Sequence, residues 1–402
     1  MLHALSVSRT RDAILPSTLP PSEAQALTVS VVRTRSGFDS LEDKWNDLFA
    51  RCASGRHVFQ SFNWNWHWAN AYLAADAELA VMAMYRADKL VALWPLVLAR
   101  LPALRLIEWM GAPVSQYGDV LIDPAEDQAL ILQRGWDVIG QDLRVDALHL
   151  RKVRADANVR PLLQGHQATE MLANDAPYLD IASAPDFATY ETRYSAKARK
   201  NRHRLARRLA EMGEVVIEHL SDDAEAARAA HEAVALRRQT LAETGRVSPA
   251  LREPRYAAFF AQAASGAKPC GCRVTRFRVG GRLAASAIDV TAHGHRAAHI
   301  IAHDPAFDAC GPGMLMVEDW VRTACADGIA TLDLLAPAHG YKWDWADGSV
   351  GVCDYVLPVS AKGRLLAEPY LARVRPRIKE AVEKFAAWRA GDKARSASAD
   401  SD

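Results

Sequence analysis

The stretch HDPAFDACGPGMLMVEDW, residues 303–320, carries the sharpest chemical signal in the chain. Gly311 and Gly313 bracket Pro312 at a point where a strand pattern ends and an amphipathic helix pattern begins. Residues without side chains let backbone N–H groups approach an anion, and a helix N-terminus adds partial positive charge. The turn is therefore either a phosphate cradle or a plain helix entry. Two carboxylates stand inside apolar strand patterns: Asp289 in SAIDVTA and Asp333 in TLDLL. Burial raises a carboxyl pKa towards that of a general base, unless the group is a structural partner. Asp333 alternates with Leu332 and Leu334 and so can face a cleft, which favours it over Asp289.

Two further clusters have chemistry to offer. His299 and His303 have a spacing that joins two imidazoles on a helix. Together with His293 and His295, however, they lie in a strand-and-turn pattern that sets them far apart, and no acidic third ligand accompanies them. No metal site is expected. From Arg193 to Arg208, eight of sixteen residues are Lys or Arg and none is acidic. This run reads first as a helix with a solvated charged side, packed inward through Tyr194, Ala198, Leu205 and Leu209. It reads second as an anion-binding face using Arg199 and Arg202, and only third as a DNA-binding face.

These residues need elements to hold them. TVSVVRT alternates as a strand and FDSLEDKWNDLF follows as a helix. Next comes an aromatic helix with Trp64, Trp68 and Tyr72 on one face. LAVMAMYRADKLVALWPLVLA reads as two strands joined at Ala87-Asp88. A strand over Leu104–Met110, a helix over Asp127–Leu143 and the strand ALHLRKV complete this half. A comparable order follows: a long helix from Phe187 to Met212, the strand EVVIEHL, helices containing EAARAAHEAVALRRQTLAE and PRYAAFFAQAA, and a three-stranded meander turning at Gly280-Gly281 and at Ala292–Gly294. The helix GMLMVEDWVRTACADG, the strand ATLDLLA and a tryptophan-rich loop close it. The pattern predicts a mixed α/β fold of two tandem domains, each a mostly antiparallel mixed sheet flanked by helices. The expected divisions are a flexible leader over 1–27, domains over 28–177 and 178–360, and a C-terminal helix with a disordered tail over 361–402.

Composition agrees with a folded, water-soluble chain. The 402 residues are 50% hydrophobic and 24% charged, as in ordinary globular proteins, and at about 150 residues per domain allow two or three cores. A net charge of +1 provides no chain-wide field for nucleic acid or an anionic membrane. Arg86, Asp88 and Lys89 divide the most apolar region into runs too short to span a bilayer. The N-terminal residues lack the apolar core and cleavage site of a secretory signal. Six cysteines without a C-x-x-C pair read as reduced thiols, so a cytoplasmic location is expected.

Asp308-x-x-Gly311-x-Gly313 resembles the pyrophosphate loop of GNAT acyltransferases, with Asp308 where that family usually has Arg or Gln. The loop also falls where that fold places it, after a meander and before a helix and strand. DLLAPAHGYKWDWADG resembles the Tyr-Lys segment of CelD-like proteins and BioF-type acetyltransferase domains, distant relatives of the FemAB aminoacyltransferases. YSAKARKNRHRLARRLAEMG resembles the basic helix opening their second domain. FQSFNWNWHW, VALWPLVLAR and Tyr117-Gly-Asp119 resemble parts of their first domain, so the likeness covers about residues 28–360.

The resemblance implies two GNAT-like domains and an acyl-CoA, such as acetyl-CoA, held by Asp308, Cys310, Gly311, Gly313 and Met314. No metal is implied. Acyl transfer needs a deprotonated amine, a stabilised oxyanion and a protonated leaving thiolate. Tyr341 lies where such enzymes often place a general acid, and Lys342 could stabilise the oxyanion or grip a phosphate. Tyr341 is otherwise a core residue and Lys342 a solvated charge. Tyr117 and Asp119 are expected to shape the acceptor pocket, or else to form a turn at Gly118-Asp119. Three functions follow. The first is transfer from acyl-CoA to an amine or hydroxyl of a sugar, cell-envelope precursor or small metabolite, with a link to exopolysaccharide or cellulose biosynthesis. The second is aminoacyl transfer from tRNA to a peptidoglycan precursor, and the third a non-catalytic scaffold, for which Asp308 is the best argument. A monomer or homodimer is expected.

Overall fold

The computed structural model describes residues 26–73, 77–101, 103–246, 248–374 and 377. The expected leader lies outside the described residues except for Ala26 and Leu27, and Leu27 already opens the strand Leu27–Val32. The chain is helical over Gly363–Ala367 and Tyr370–Val374. The expected tail lies outside the described residues.

The strands Leu27–Val32, Val81–Arg86, Lys89–Trp94 and Leu121–Ile122 form a four-stranded antiparallel sheet. Its central hairpin turns at Ala87-Asp88, as its polar interruption predicts. A second sheet of eleven strands runs through the whole molecule. From one edge its order is Val215–Leu220, Cys272–Val279, Arg282–Ala292, His295–His303, Thr331–Asp333 and Thr169–Asp180. It continues with Gly348–Pro358, Ala147–Arg154, Leu104–Trp109, Leu96–Leu101 and Ala77–Leu79. The three-stranded meander predicted for residues 272–303 is present.

The two halves repeat one device. In each, a strand pairs in parallel with another reached through a crossover helix: Leu104–Trp109 with Ala147–Arg154, and His295–His303 with Thr331–Asp333. The halves then exchange strands. Thr169–Asp180 pairs with Thr331–Asp333, while Gly348–Pro358 pairs with Ala147–Arg154. The expected division between residues 177 and 178 thus falls inside a shared strand.

Two local expectations change. The helix predicted from Phe187 to Met212 is two helices, Phe187–Glu191 and Ala196–Glu211. Ser195 separates them because its hydroxyl accepts the Ala198 N–H at 3.1 Å, and such a cap favours extended backbone at its own position. The tryptophan-rich loop contains a short helix, Gly340–Trp345.

The largest core cluster draws on both halves. Helix Phe62–Tyr72 presents Trp64, Trp68 and Tyr72 inward, as their spacing predicts. Trp64 meets Phe259, from helix Pro254–Ala264, edge to face with ring centroids 4.8 Å apart. Phe259 is fully buried, so truncating it leaves a cavity that neither half can fill alone. Phe259→Ala should cost about 3–5 kcal/mol. Urea unfolding followed by tryptophan fluorescence and by circular dichroism should move to one lower midpoint, since both halves share the cluster.

Candidate functional site

The site begins where two parallel strands part. His295–His303 and Thr331–Asp333 pair over three positions, ending at Ala297 opposite Asp333. Asp333 Oδ1 then accepts the Leu335 N–H at 2.7 Å, and Leu335 takes a left-handed φ of 62°. A carboxylate that captures the N–H two residues on turns the chain, so this strand leaves the sheet. The other continues to His303, bonded on its far side to Arg282–Ala292. Among the described residues its near edge has no strand partner beyond Ala297. A cleft of about 600 Å³ opens in the gap, lined by Ala298, His299 and Ile301 on one strand and by Leu334, Leu335 and Ala336 on the other. That volume suits a small-molecule ligand.

The Gly311 loop closes one end of the cleft. Gly311 has a φ of 57°, and a Cβ there would lie 2.9 Å from the Leu205 side chain of the basic helix, so glycine is strongly favoured. At Gly313 a Cβ would make ordinary contact, 3.6 Å from His303 Nδ1. The Gly311 N–H donates to the Asp308 carbonyl, and the Met314 and Leu315 N–H groups donate to the Gly311 carbonyl. Pro312 has no N–H, so between Gly311 and Leu315 the Gly313 N–H is the one without a partner among the described residues. Of the five residues expected around the donor, Asp308, Gly311, Gly313 and Met314 line the cleft. Cys310 is buried behind it, with Sγ 3.3 Å from Met212 Sδ. Asp308 accepts a hydrogen bond from His303 Nε2 at 2.8 Å.

Tyr341 and Lys342 line the same cleft, on the short helix Gly340–Trp345. Lys342 Nζ donates to the carbonyls of Leu335 and Pro337 at 2.8 and 2.9 Å. Burial pushes its pKa down to about 8; Asp333 opposes the shift and Arg237 adds to it. Burial raises the Tyr341 phenol, with Arg237 opposing, so the group is neutral at physiological pH. His339 also lines the cleft, and its pKa is lowered by burial and then by Lys342, Arg246 and Arg237.

Among the lining residues that were not predicted are His339 and two arginines, Arg237, on helix Ala224–Glu243, and Arg246, just beyond it. The available signal was an arginine whose neighbours three and four positions away, Val234, Thr240, Ala233 and Leu241, include no acid.

Several of the expected residues lie in other surroundings than their expected roles require. Asp333 is no raised-pKa base: burial works upward, but hydrogen bonding and charge from His295, the charge of Arg154 and the Leu335 N–H hold it below the usual carboxylate range. Its oxygens also accept the Tyr117 hydroxyl at 2.9 and 2.8 Å and Arg154 at 3.1 Å. Asp289 is fully buried between Arg273 and Arg296 and accepts Trp320 Nε1 at 3.0 Å, away from the cleft lining. Tyr117 is buried with its hydroxyl on Asp333 and does not line this cleft. Asp119 accepts the N–H groups of Val120, Asn158 and Val159 and pairs with His57, which makes it a loop anchor. Arg202 is buried between the rings of Tyr194 and Trp345 and pairs with Glu318 at 3.2 Å. Neither Arg199 nor Arg202 reaches the cleft lining. The four histidines go to separate partners: His293 to the Phe49 ring, His295 to Asp333, His299 to the Val114 carbonyl and His303 to Asp308. All six cysteines are free, and among the described residues no helix is long and apolar enough to cross a membrane.

The fold is similar to the crystal structure of FemX, with a TM-score of 0.57 at 11% identity over 79% of this chain and 96% of that one. It is also similar to a conserved protein of unknown function from Bacteroides thetaiotaomicron VPI-5482, with a TM-score of 0.54 at 11% identity over 82% and 99%. No protein of curated function matches in sequence. The Gly311 loop, both arginines, Tyr341 and Lys342 fall within residues 196–343, and that segment matches the acetyltransferase (GNAT) domain family.

Proposed function

We propose that this protein transfers an acyl group, in the simplest case acetyl from acetyl-CoA, to an amine or hydroxyl acceptor bound in the cleft. The observation that carries this reading is the parted strand pair. It leaves a backbone edge at residues 298–303 able to bond the amides of an acyl-CoA arm, and it leads to the Gly311–Gly313 turn. The Gly313 N–H and the N-terminus of the 15-residue helix Pro312–Ala326 suit the pyrophosphate. Residues able to carry the chemistry face the same space. His339, kept neutral, accepts the proton that the attacking amine loses. The Lys342 ammonium, fixed by two carbonyls, stabilises the oxyanion of the carbonyl under attack. Tyr341 then protonates the departing thiolate as the C–S bond breaks. A sugar, a cell-envelope precursor or a small metabolite would serve as acceptor. The link to polysaccharide or cellulose synthesis rests on the resemblance alone.

A second reading, aminoacyl transfer from tRNA, draws on the basic helix, where Lys197, Lys200, Arg204 and Arg207 are exposed along one side. The scaffold reading draws on Asp308 and on the Gly313 N–H being the one between Gly311 and Leu315 without a partner among the described residues.

Acetyl-CoA should raise the melting temperature of the wild type in proportion to the logarithm of its concentration. Gly313→Trp should abolish that rise, because its side chain would project into the cleft without backbone strain. No rise with acetyl-CoA or longer acyl-CoAs would overturn the proposal. The pH profile supplies a second test. Lys342 acts as an ammonium, so kcat should fall as pH rises through about 8. Lys342→Arg keeps the charge and should remove that limb, as thiol release at saturating acyl-CoA would show. A rate that climbs through the same range would make Lys342 a base instead.

A further inference from the structure

The cations that face the cleft are not those of the basic helix. Arg237 and Arg246 form no side-chain hydrogen bond, ion pair or ring contact among the described residues. This is unusual for a cleft arginine beside other cations, because each raises the cost of charging the next. Burial and Arg246 lower the Arg237 pKa while Tyr341 raises it, and Lys342 and His339 both feel Arg237. These neighbours belong to the reacting end of the cleft. Asp308 and Asp344, the two acids of the lining, pair with neither arginine. Asp308 is held at the loop end by His303. Arg237 and Thr240 lie one turn apart on their helix, and the Thr240 hydroxyl, which also bonds Leu236, donates to the His303 carbonyl at 3.2 Å, tying that helix face to the cleft wall. The cleft therefore holds two guanidinium groups with no paired carboxylate among the described residues, Arg237 near Tyr341 and Lys342 and Arg246 near Arg237 and His339.

We propose that Arg237 and Arg246 form an oxyanion subsite for the acceptor, so that the protein acts on amines or hydroxyls that also carry a phosphate or carboxylate. This deepens the acyl-transfer reading and rests on it for the word acceptor. Guanidinium groups match the planar, paired oxygens of both anions, and an acceptor so held would keep its nucleophile at the Tyr341 end.

The test is thermal-shift titration of the full chain with two matched pairs, glucosamine against glucosamine 6-phosphate and alaninamide against alanine. In the wild type the anionic member of at least one pair should bind about tenfold more tightly, or better, than its neutral counterpart. The pair that responds identifies phosphate or carboxylate. Arg237→Gln and Arg246→Gln should each remove about tenfold of that preference, and the double variant should abolish it. Equal binding within both pairs, or a preference that survives in the double variant, would overturn the proposal. So would an acetyl-CoA shift that is lost in Arg237→Gln while that of 3′-dephospho-acetyl-CoA persists, since the arginines would then serve the donor. A wild type that discriminates as expected but ignores every acyl-CoA would retain the anion subsite and refute acyl transfer.

Discussion

The carboxylate of Asp333 is the point on which the site depends. It is the last residue of its strand to pair with the meander, and it captures the N–H of Leu335. It therefore both ends the parallel pairing and turns the chain away. A buried charge is stable only when paired and hydrogen-bonded, and here the partners come from both halves: Tyr117 and Arg154 from the first, His295 and Leu335 from the second. The ion network that joins the halves is also the one that opens the cleft.

The strand exchange makes that join structural as well as electrostatic. Thr169–Asp180 and Gly348–Pro358 lie side by side at the centre of the eleven-stranded sheet, each bonded outward to a strand of the other half. The shared aromatic cluster around Trp64 and Phe259 seals one face. The cleft is thus built on a continuous sheet, which suits a site that must hold a donor and an acceptor in fixed relation.

Charge is sorted according to packing. The basic helix looks like the natural anion-binding element, yet Arg202 is consumed between two aromatic rings and Leu205 and Leu209 are turned inward. Lys197, Lys200, Arg204 and Arg207 stand in solvent, where counter-ions and water screen them. Arg237 belongs to a helix whose acidic and basic residues balance, is only partly buried, and pairs with no carboxylate among the described residues. Position in a concave, poorly solvated site matters more for ligand binding than the number of charges in a run.

What was legible in the residues themselves was local. Alternation and helical spacing identified the hairpin at Ala87-Asp88, the 272–303 meander, the inward face of Trp64, Trp68 and Tyr72, and the helix beginning at Pro312, because these patterns depend on neighbours a few positions apart. The glycine turn was also readable, since it lies on a short segment whose form is set locally, whereas the segment carrying Tyr341 and Lys342 was expected as a loop and is a short helix. Only the tertiary structure decided the state of the charged groups. Asp333 was expected as a raised-pKa base and is held low by Arg154, 179 positions away, and by His295. Asp119 and Asp289 became anchors, and Arg237 and Arg246 emerged as the cations of the cleft. A side chain's pKa and availability depend on what surrounds it in space, and those surroundings are assembled from distant parts of the chain.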